Sequence, residues 1–269
     1  MSEDIKSKGQ WSSLLLILAA AAFLFGRKRP VTYSRSSSLN TGEQMMPEKQ
    51  TKEAEKPEES VNIEEAKEES VPQKERIVAE ITPRKVTRPG ISITYPQVSG
   101  LKNPEVQFKI NQAIIEQIQQ MVYSQIPDAA EIQVDYRVTY NQNGILSMVF
   151  EQYSYVRGAA HGMTTVESLT IDLENARIYT LKDLFNPGSN YVETINNQIK
   201  LQIKERDIPM LKEFDSISEN QQFYLTEKDI VIYFQLYEYT PYVYGIPEFP
   251  IPIASMVNMI NKDGPLGKL

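Results

Sequence analysis

The pattern of apolar and polar residues divides the chain into three parts. Residues 14–25 form an unbroken apolar run, which Trp11 and Gly26 extend. Residues 27–76 are then mostly charged or polar. From residue 77 onward, apolar side chains recur with the spacings of strands and helices. The pattern therefore predicts an apolar N-terminal helix, a linker and a folded region long enough to bury a core.

Residues 11–26 have the composition of a membrane anchor behind a short N-terminal tail, residues 1–10. A helix that crosses a bilayer needs about 20 apolar residues, and roughly 17 is the lower limit. Because the run is at that limit, a cleaved signal peptide is the alternative, with Ala20 and Ala22 near a cleavage site. The aromatic residues and the Arg27-Lys28-Arg29 cluster that follow are a poor cleavage context, so we predict an uncleaved single-pass anchor.

Residues 27–76 are predicted to be a disordered linker, because Glu, Lys and Pro dominate them and aromatic residues are absent after Tyr33. A segment of low hydrophobicity and high charge cannot offset the entropy lost on ordering. A charged helix over residues 61–69 is the alternative, but its apolar residues are too sparse to dock on a core.

Residues 77–156 are predicted to form a first unit of strands, one helix and a hairpin. Asn103, Pro104 and Glu105 are a typical helix start, and Asn143-Gly144 is a favoured hairpin turn. The helix that follows Asn103 carries an apolar residue at every fourth position: Val106, Ile110, Ile114, Ile118 and Val122.

Residues 157–262 are predicted to form a second unit with the same layout. A strand over residues 164–173 precedes a capping box from Thr180 to Asp183, a helix that begins near Asn190 and a hairpin around residues 227–229. A closing strand contains Pro247, Pro250 and Pro252, which places it at a sheet edge. The prediction is an α+β fold with two strand-helix-hairpin units, in which a helix covers each antiparallel sheet.

Composition excludes several classes of function. The chain has no cysteine and a single histidine, so disulfides, thiolate metal sites and a cysteine nucleophile are excluded, and we predict no metal and no cofactor. A net charge of −7 argues against binding to nucleic acid. The sequence leaves the oligomeric state open.

The lone histidine, His161, lies in the stretch Gly158-Ala-Ala-His-Gly162, where small residues permit a tight backbone. A catalytic triad requires a positioned serine and an acid beside it. Ser154, Ser168 and Asp172 are near in sequence, but no nucleophile-elbow pattern accompanies them. The interpretation we favour is a turn histidine that bonds to backbone and fixes the crossover between the two units.

Three acids, Glu151, Glu167 and Asp172, are the candidates for hydrolysis of a glycan, which needs two carboxyl groups that face each other across a cleft. Glu167 is expected on the apolar side of its strand. Because acids in strands are usually solvated or paired, we predict that the protein is not an enzyme.

Four tyrosines, Tyr237, Tyr239, Tyr242 and Tyr244, lie within eight residues. Tyrosine is enriched at binding surfaces, since its rigid ring supplies contact area at a small entropic cost. We predict that at least two of them, with His161, form a recognition surface for a protein or for sugar rings. The alternative is that half of them pack beneath the loop.

Residues 157–256 resemble a known family in three pieces. The first is Gly158-Ala-Ala-His-Gly162 with the strand 167–173, the second is residues 180–185, and the third is residues 223–234 with 237–252. Together they resemble the extracytoplasmic domain of unknown function that anti-sigma-V factor RsiV shares with the N-terminal part of peptidoglycan deacetylase PdaC. Residues 77–155 resemble, more weakly, the companion domain that precedes it.

The resemblance implies an envelope protein whose domain binds lysozyme, an event that in RsiV leads to cleavage and release of a sigma factor. We expect neither sigma inhibition nor deacetylation to carry over, because only about ten residues precede the apolar run and no deacetylase domain is evident. We therefore predict a membrane-tethered extracytoplasmic binding or sensor protein whose partner is lysozyme or peptidoglycan. The alternatives are a glycan-acting enzyme and an anti-sigma-type signalling protein without a full sigma-binding segment.

The charges around the apolar run conflict with this orientation. Lys6 and Lys8 precede it, whereas Arg27, Lys28 and Arg29 follow it. Taken alone, the positive-inside rule places the C-terminal part in the cytoplasm. We follow the resemblance and predict an extracytoplasmic C-terminal part.

Overall fold

The structure is a computed structural model that describes residues 77–125 and 129–268. The predicted anchor, residues 11–26, and the predicted linker, residues 27–76, lie outside these residues. Across the part of the chain that is described, no helix is both long and apolar enough to span a membrane.

The larger sheet has five strands: β1 (Glu80–Arg88), β2 (Ile91–Ser99), β3 (Ala129–Gln142), β4 (Ile145–Val156) and β5 (Met163–Asp172). They lie in the order in which they occur in the chain. Strands β2 and β3 pair in parallel and the other neighbours pair antiparallel. The parallel pair arises because a helix, rather than a tight turn, joins β2 to β3.

That helix, α1 (Pro104–Gln125), packs on one face of the larger sheet. It begins where the sequence predicts, because Asn103 Oδ1 accepts the backbone N–H of Glu105 at 3.0 Å. The residues spaced four apart turn towards the sheet, and Ile110, Ile114 and Ile118 are fully buried. They form the first core with apolar side chains from β2, β3, β4 and β5.

The smaller sheet has three strands: β6 (Phe223–Leu225), β7 (Asp229–Tyr233) and β8 (Glu248–Pro252). Helix α2 (Tyr191–Glu205) packs on it and forms a second core with it. Strand β8 lies at the edge, as its prolines predict. The predicted capping box is also confirmed, since Asp183 Oδ2 accepts the backbone N–H of Thr180 at 2.7 Å at a 3-10 turn, Leu181–Leu184.

The α+β class is confirmed, but the two-unit layout of antiparallel sheets is wrong. Strand β5, which was predicted for the second unit, pairs with β4 along its whole length, from Met163 to Asp172. The stretch Gly158–Gly162 is therefore part of the loop of a β4–β5 hairpin and not a crossover between units. The physical reason is that the apolar residues of β5 lie opposite those of β4 on the same face of the sheet. Leu169 and Ile171 thereby complete the first core.

The smaller sheet packs against the face of the larger sheet that α1 leaves uncovered. A third cluster joins Val149 and Val166 of the larger sheet to Tyr224, Val231 and Tyr233 of the smaller one. Side chains also bond to the backbone of β6: Ser147 Oγ accepts the N–H of Leu225 at 3.0 Å, and Ser168 donates to the carbonyl of Phe223 at 2.6 Å. This packing brings the loop after β7 close to the β4–β5 loop.

Candidate functional site

Three aromatic rings from two loops meet at the surface. His161 belongs to the β4–β5 loop, and Tyr237 and Tyr242 belong to the loop between β7 and β8. The His161 and Tyr242 ring centroids are 4.3 Å apart, and the two tyrosine rings stack at 5.8 Å. His161 Nε2 lies 3.4 Å from the Tyr237 hydroxyl. We call His161, Tyr237 and Tyr242 the aromatic cluster.

The cluster is open to solvent. Tyr237 is 44% exposed, and Val243, next to Tyr242, is 91% exposed. His161 is also exposed and Tyr242 is half-buried. Rings of this kind that contact each other, beside an exposed apolar side chain, form a surface that a partner can cover with a gain in buried apolar area.

The backbone holds the cluster in place. Tyr237 has a positive φ of 64°, a conformation that is uncommon for a bulky residue. The buried Thr240 donates from its hydroxyl to the carbonyl of Gly245 at 3.2 Å, across the 3-10 turn that carries Tyr242. Strain of this kind persists only where the surroundings determine the conformation, and it concentrates at functional sites.

Gly162, the residue after His161, packs against the ring of Tyr153. A Cβ atom at position 162 would lie 2.2 Å from Cε2 of Tyr153, so the Tyr153 ring packs directly on the glycine. The neighbouring His161 places Nδ1 2.8 Å from the Gly162 carbonyl oxygen. Tyr153 of β4 therefore lies against the residue that follows His161 in the chain. Tyr153 is not among the residues predicted for the site; the signal that could have indicated it is its exposed position between the buried residues Gln152 and Ser154 of β4.

The other two predicted tyrosines lie away from the cluster. The Tyr239 ring packs edge-on against Phe234 at 4.7 Å and belongs to the second core. The Tyr244 hydroxyl accepts a hydrogen bond from Arg206 at 3.1 Å. The structure thus brings two of the four tyrosines together with His161, and their role in recognition stays a prediction.

The contacts of His161 do not form a catalytic triad. Its two ring nitrogens lie near the Gly162 carbonyl and the Tyr237 hydroxyl. Ser168 donates instead to the Phe223 carbonyl, and Asp172 binds Lys268 and Tyr179. This arrangement supplies no activated nucleophile.

The three candidate acids do not face each other. Glu151 pairs across the strands with Val166, and Glu167 pairs with Phe150, so the two side chains project from opposite faces of the sheet. Burial raises the pKa of Glu167 above its ordinary value. Among the described residues, no group of three or more acidic or histidine side chains is placed to hold a metal ion.

An acidic pair lies on the same sheet face as Tyr153. Asp135 of β3 is directly opposite Glu151 of β4, and both side chains are exposed. Like charges at directly opposed positions destabilise a sheet. Gln133 offsets part of this repulsion by donating to Asp135 Oδ2 at 3.1 Å. This part of the sheet face therefore carries two adjacent negative charges.

Comparison with known families confirms the resemblance predicted from the sequence. A family model described as "Deacetylase PdaC" matches residues 85–164, and one described as "Protein of unknown function (DUF3298)" matches residues 182–254. The chain is 29% identical over 189 residues to anti-sigma-V factor RsiV of Bacillus subtilis (strain 168), a match that covers 63% of this chain and 65% of RsiV.

A second relative is the peptidoglycan-N-acetylmuramic acid deacetylase PdaC of the same organism, with 24% identity over 115 residues. This match covers 40% of the chain and 24% of the deacetylase. The chain thus spans less than two thirds of the length of either relative.

Two solved structures of the DUF3298 family share the fold. One, from Bacteroides fragilis NCTC 9343, has a TM-score of 0.53 and 19% identity; the match covers 70% of this chain and 95% of the chain in that structure. The other, from Pseudomonas aeruginosa PAO1, has a TM-score of 0.53 and 14% identity; the match covers 68% of this chain and 94% of the chain in that structure. At these identities the likeness concerns the fold alone.

Proposed function

Because this chain joins a PdaC-type domain to a DUF3298 domain and is related to anti-sigma-V factor RsiV, we propose that it is a binding or sensor protein of the bacterial cell envelope. A membrane anchor at residues 11–26 tethers it, and the folded part is extracytoplasmic. The aromatic cluster is its recognition surface, and a protein such as lysozyme is its partner.

The observation that carries the proposal is the pre-organised aromatic cluster. Its rings already contact one another, and the strained backbone at Tyr237 holds one of them in place. A partner that covers such rings gains contact area without ordering flexible side chains, which is why rigid aromatic anchors dominate many interfaces.

The charge of the neighbouring surface supports a basic protein partner. Asp135 and Glu151 present two opposed carboxylates on the face that also carries Tyr153. The chain as a whole has a net charge of −7. Complementary charge speeds the encounter between partners more than it tightens the final complex, so the acids select the partner and the rings hold it.

Peptidoglycan is the alternative ligand, since sugar rings also stack on exposed tyrosine rings. Catalysis on that glycan is not part of the proposal, because Glu151 and Glu167 project from opposite faces of the sheet. Hydrolysis needs two carboxyl groups on either side of one bond.

Calorimetric titration of the full chain with lysozyme, and separately with soluble peptidoglycan fragments, tests the proposal. We expect heat of binding with lysozyme. In the Tyr242→Ala variant we expect the affinity for lysozyme to be lower than that of the unaltered protein by roughly tenfold or more. Tyr123→Ala is the matched control, since Tyr123 is 47% exposed on α1 and lies outside the cluster. Absence of binding to both ligands contradicts the proposed function.

The location is tested separately by protease treatment of intact cells. Export predicts that the folded part is accessible to added protease while the membrane is intact. A C-terminal part that stays fully protected, and becomes sensitive only after lysis, rules out the extracytoplasmic placement.

A further inference from the structure

Gln235 joins the loop that carries Tyr237 and Tyr242 to strand β5, which follows the loop that carries His161. Its side-chain Nε2 donates to the carbonyl of Val166 at 2.6 Å, and its Oε1 accepts the N–H of the same residue at 3.0 Å. One side-chain amide therefore occupies both backbone groups of Val166, as a neighbouring strand would. Val166 is in β5, an edge strand of the larger sheet.

The contact between Gln235 and Val166 lies close in sequence to both sides of the aromatic cluster. Tyr237 follows Gln235 by two residues, and His161 precedes Val166 by five. The backbone N–H of Gln235 donates to Glu238 Oε2 at 2.9 Å, so the start of the tyrosine loop is also held. A planar amide with two bonds to one residue sets both the distance and the orientation between the segments.

We propose that Gln235 is a positioning residue for the binding site: its amide, bonded to Val166, sets the tyrosine loop at the distance from the β4–β5 loop that brings Tyr237 and Tyr242 against His161. The Gln235–Val166 bonds position the rings whether or not a partner is bound. The consequence for a partner rests on the proposed function.

The single histidine makes the position of the rings measurable. In a proton NMR spectrum, the imidazole C–H signals belong to His161 alone, since the chain has no other histidine. The Tyr242 ring centroid lies 4.3 Å from the His161 ring, so ring current shifts these signals away from those of a solvated histidine. Movement of the tyrosine loop changes that shift.

The test compares Gln235→Met with Asn141→Leu in the full chain. Methionine has a similar length and makes neither bond. Asn141 is the matched control, because its amide bonds in the same way to the N–H and carbonyl of Ala79, at 3.0 and 2.8 Å, at the opposite end of the larger sheet. We expect the His161 signals to move towards those of a solvated histidine in Gln235→Met and to stay in place in Asn141→Leu.

The second measurement is lysozyme affinity, which we expect to fall about tenfold in Gln235→Met, equivalent to roughly 1.4 kcal/mol, and to be unchanged in Asn141→Leu. Unshifted His161 signals in a folded Gln235→Met protein overturn the proposal, and so does an equal shift in Asn141→Leu. Where Gln235→Met fails to fold, Gln235→Glu replaces it, since it loses the bond to the Val166 carbonyl and keeps the side-chain shape.

The two measurements separate this proposal from the proposed function. If the His161 signals move as expected while the unaltered protein binds no lysozyme, the positioning role stands and the proposed partner is wrong. If the unaltered protein binds lysozyme and Gln235→Met leaves the His161 signals unchanged, the partner stands and the positioning role is wrong.

Discussion

Lys268 Nζ lies 2.7 Å from Asp172 Oδ2, so a residue at the end of the described chain forms an ion pair with a carboxylate that is 1% exposed. Tyr179 donates to the same oxygen at 2.7 Å, and the N–H of Glu174 donates to Oδ1 at 2.8 Å. Burial favours a higher pKa for Asp172, but the bonds from Lys268 and Tyr179 outweigh it and hold that pKa below its ordinary value.

Lys268→Met is expected to lower the free energy of unfolding at neutral pH by roughly 2–4 kcal/mol, because it leaves the buried Asp172 carboxylate without its cation. Urea denaturation followed by circular dichroism measures the loss. Lys200→Met, an exposed position on α2, is the control and is expected to change the stability by less than about 0.5 kcal/mol. Equal stability of both variants contradicts the role given to the ion pair.

The same pair predicts a dependence of stability on pH. The pKa of Asp172 is lower in the folded protein than in the unfolded chain, where it is about 3.9. Below about pH 5 the unfolded state therefore takes up more protons than the folded state, and stability falls as the pH falls. In Lys268→Met this contribution should shrink, which denaturation midpoints measured between pH 3 and 7 will show.

Gly90→Ala is expected to cost more stability than Gly158→Ala, although both glycines have a positive φ. The conformation costs any L side chain about 1 kcal/mol at either position. At Gly90 the new Cβ would also lie 2.6 Å from the carbonyl oxygen of Ala130, whereas at Gly158 it would meet no atom within 4 Å. We expect the free energy of unfolding to fall by about 2–4 kcal/mol in Gly90→Ala and by about 1 kcal/mol in Gly158→Ala, which thermal unfolding measures. Equal losses in the two variants contradict the role given to the contact with Ala130.

Asn111→Leu is expected to destabilise the first core by roughly 2–4 kcal/mol. The Asn111 amide accepts the N–H of Val98 at 2.8 Å and donates to its carbonyl at 2.9 Å, and Val98 is fully buried. Removing the amide leaves two buried backbone groups unpaired. Asn197→Leu, at an exposed position of α2, is the control for chemical denaturation and is expected to retain full stability.

Tyr237→Asn is expected to raise the stability of the protein and to lower its affinity for lysozyme. Asparagine tolerates a positive φ better than tyrosine does, so the free energy of unfolding should rise by roughly 0.5–1 kcal/mol. The same change removes one ring of the aromatic cluster, so lysozyme affinity should fall. A loss of stability in Tyr237→Asn shows that the ring contributes more by packing than its backbone costs.

The helix starts and turns were predictable because their signals are local. The Asn103 cap, the Thr180 capping box and the Asn143-Gly144 turn each depend on residues within four positions of one another. The partner of β5 was not predictable in this way. Its alternating pattern fits any neighbouring strand, and only the pairing of Met163 to Asp172 with β4 placed it in the larger sheet.

The candidate site was predictable in part. His161 stands out as the only histidine, and the tyrosines stand out by their density between residues 237 and 244. That Tyr242 contacts His161 while Tyr239 packs into a core does not follow from spacing, because both are apolar rings in one loop. The positive φ of Tyr237 and the packing of the smaller sheet decide which rings face solvent.

The α+β class and the two helices could be predicted from the sequence, because periodicity and helix caps depend on short stretches of chain; the binding residues stay a prediction. Three features follow from tertiary packing alone: Gly158–Gly162 lies in a hairpin loop, Gln235 bonds to Val166 across 69 residues, and three rings from two loops form one surface. These contacts depend on how the two sheets pack. Packing joins residues that are far apart along the chain, and no local sequence pattern indicates which of them will meet.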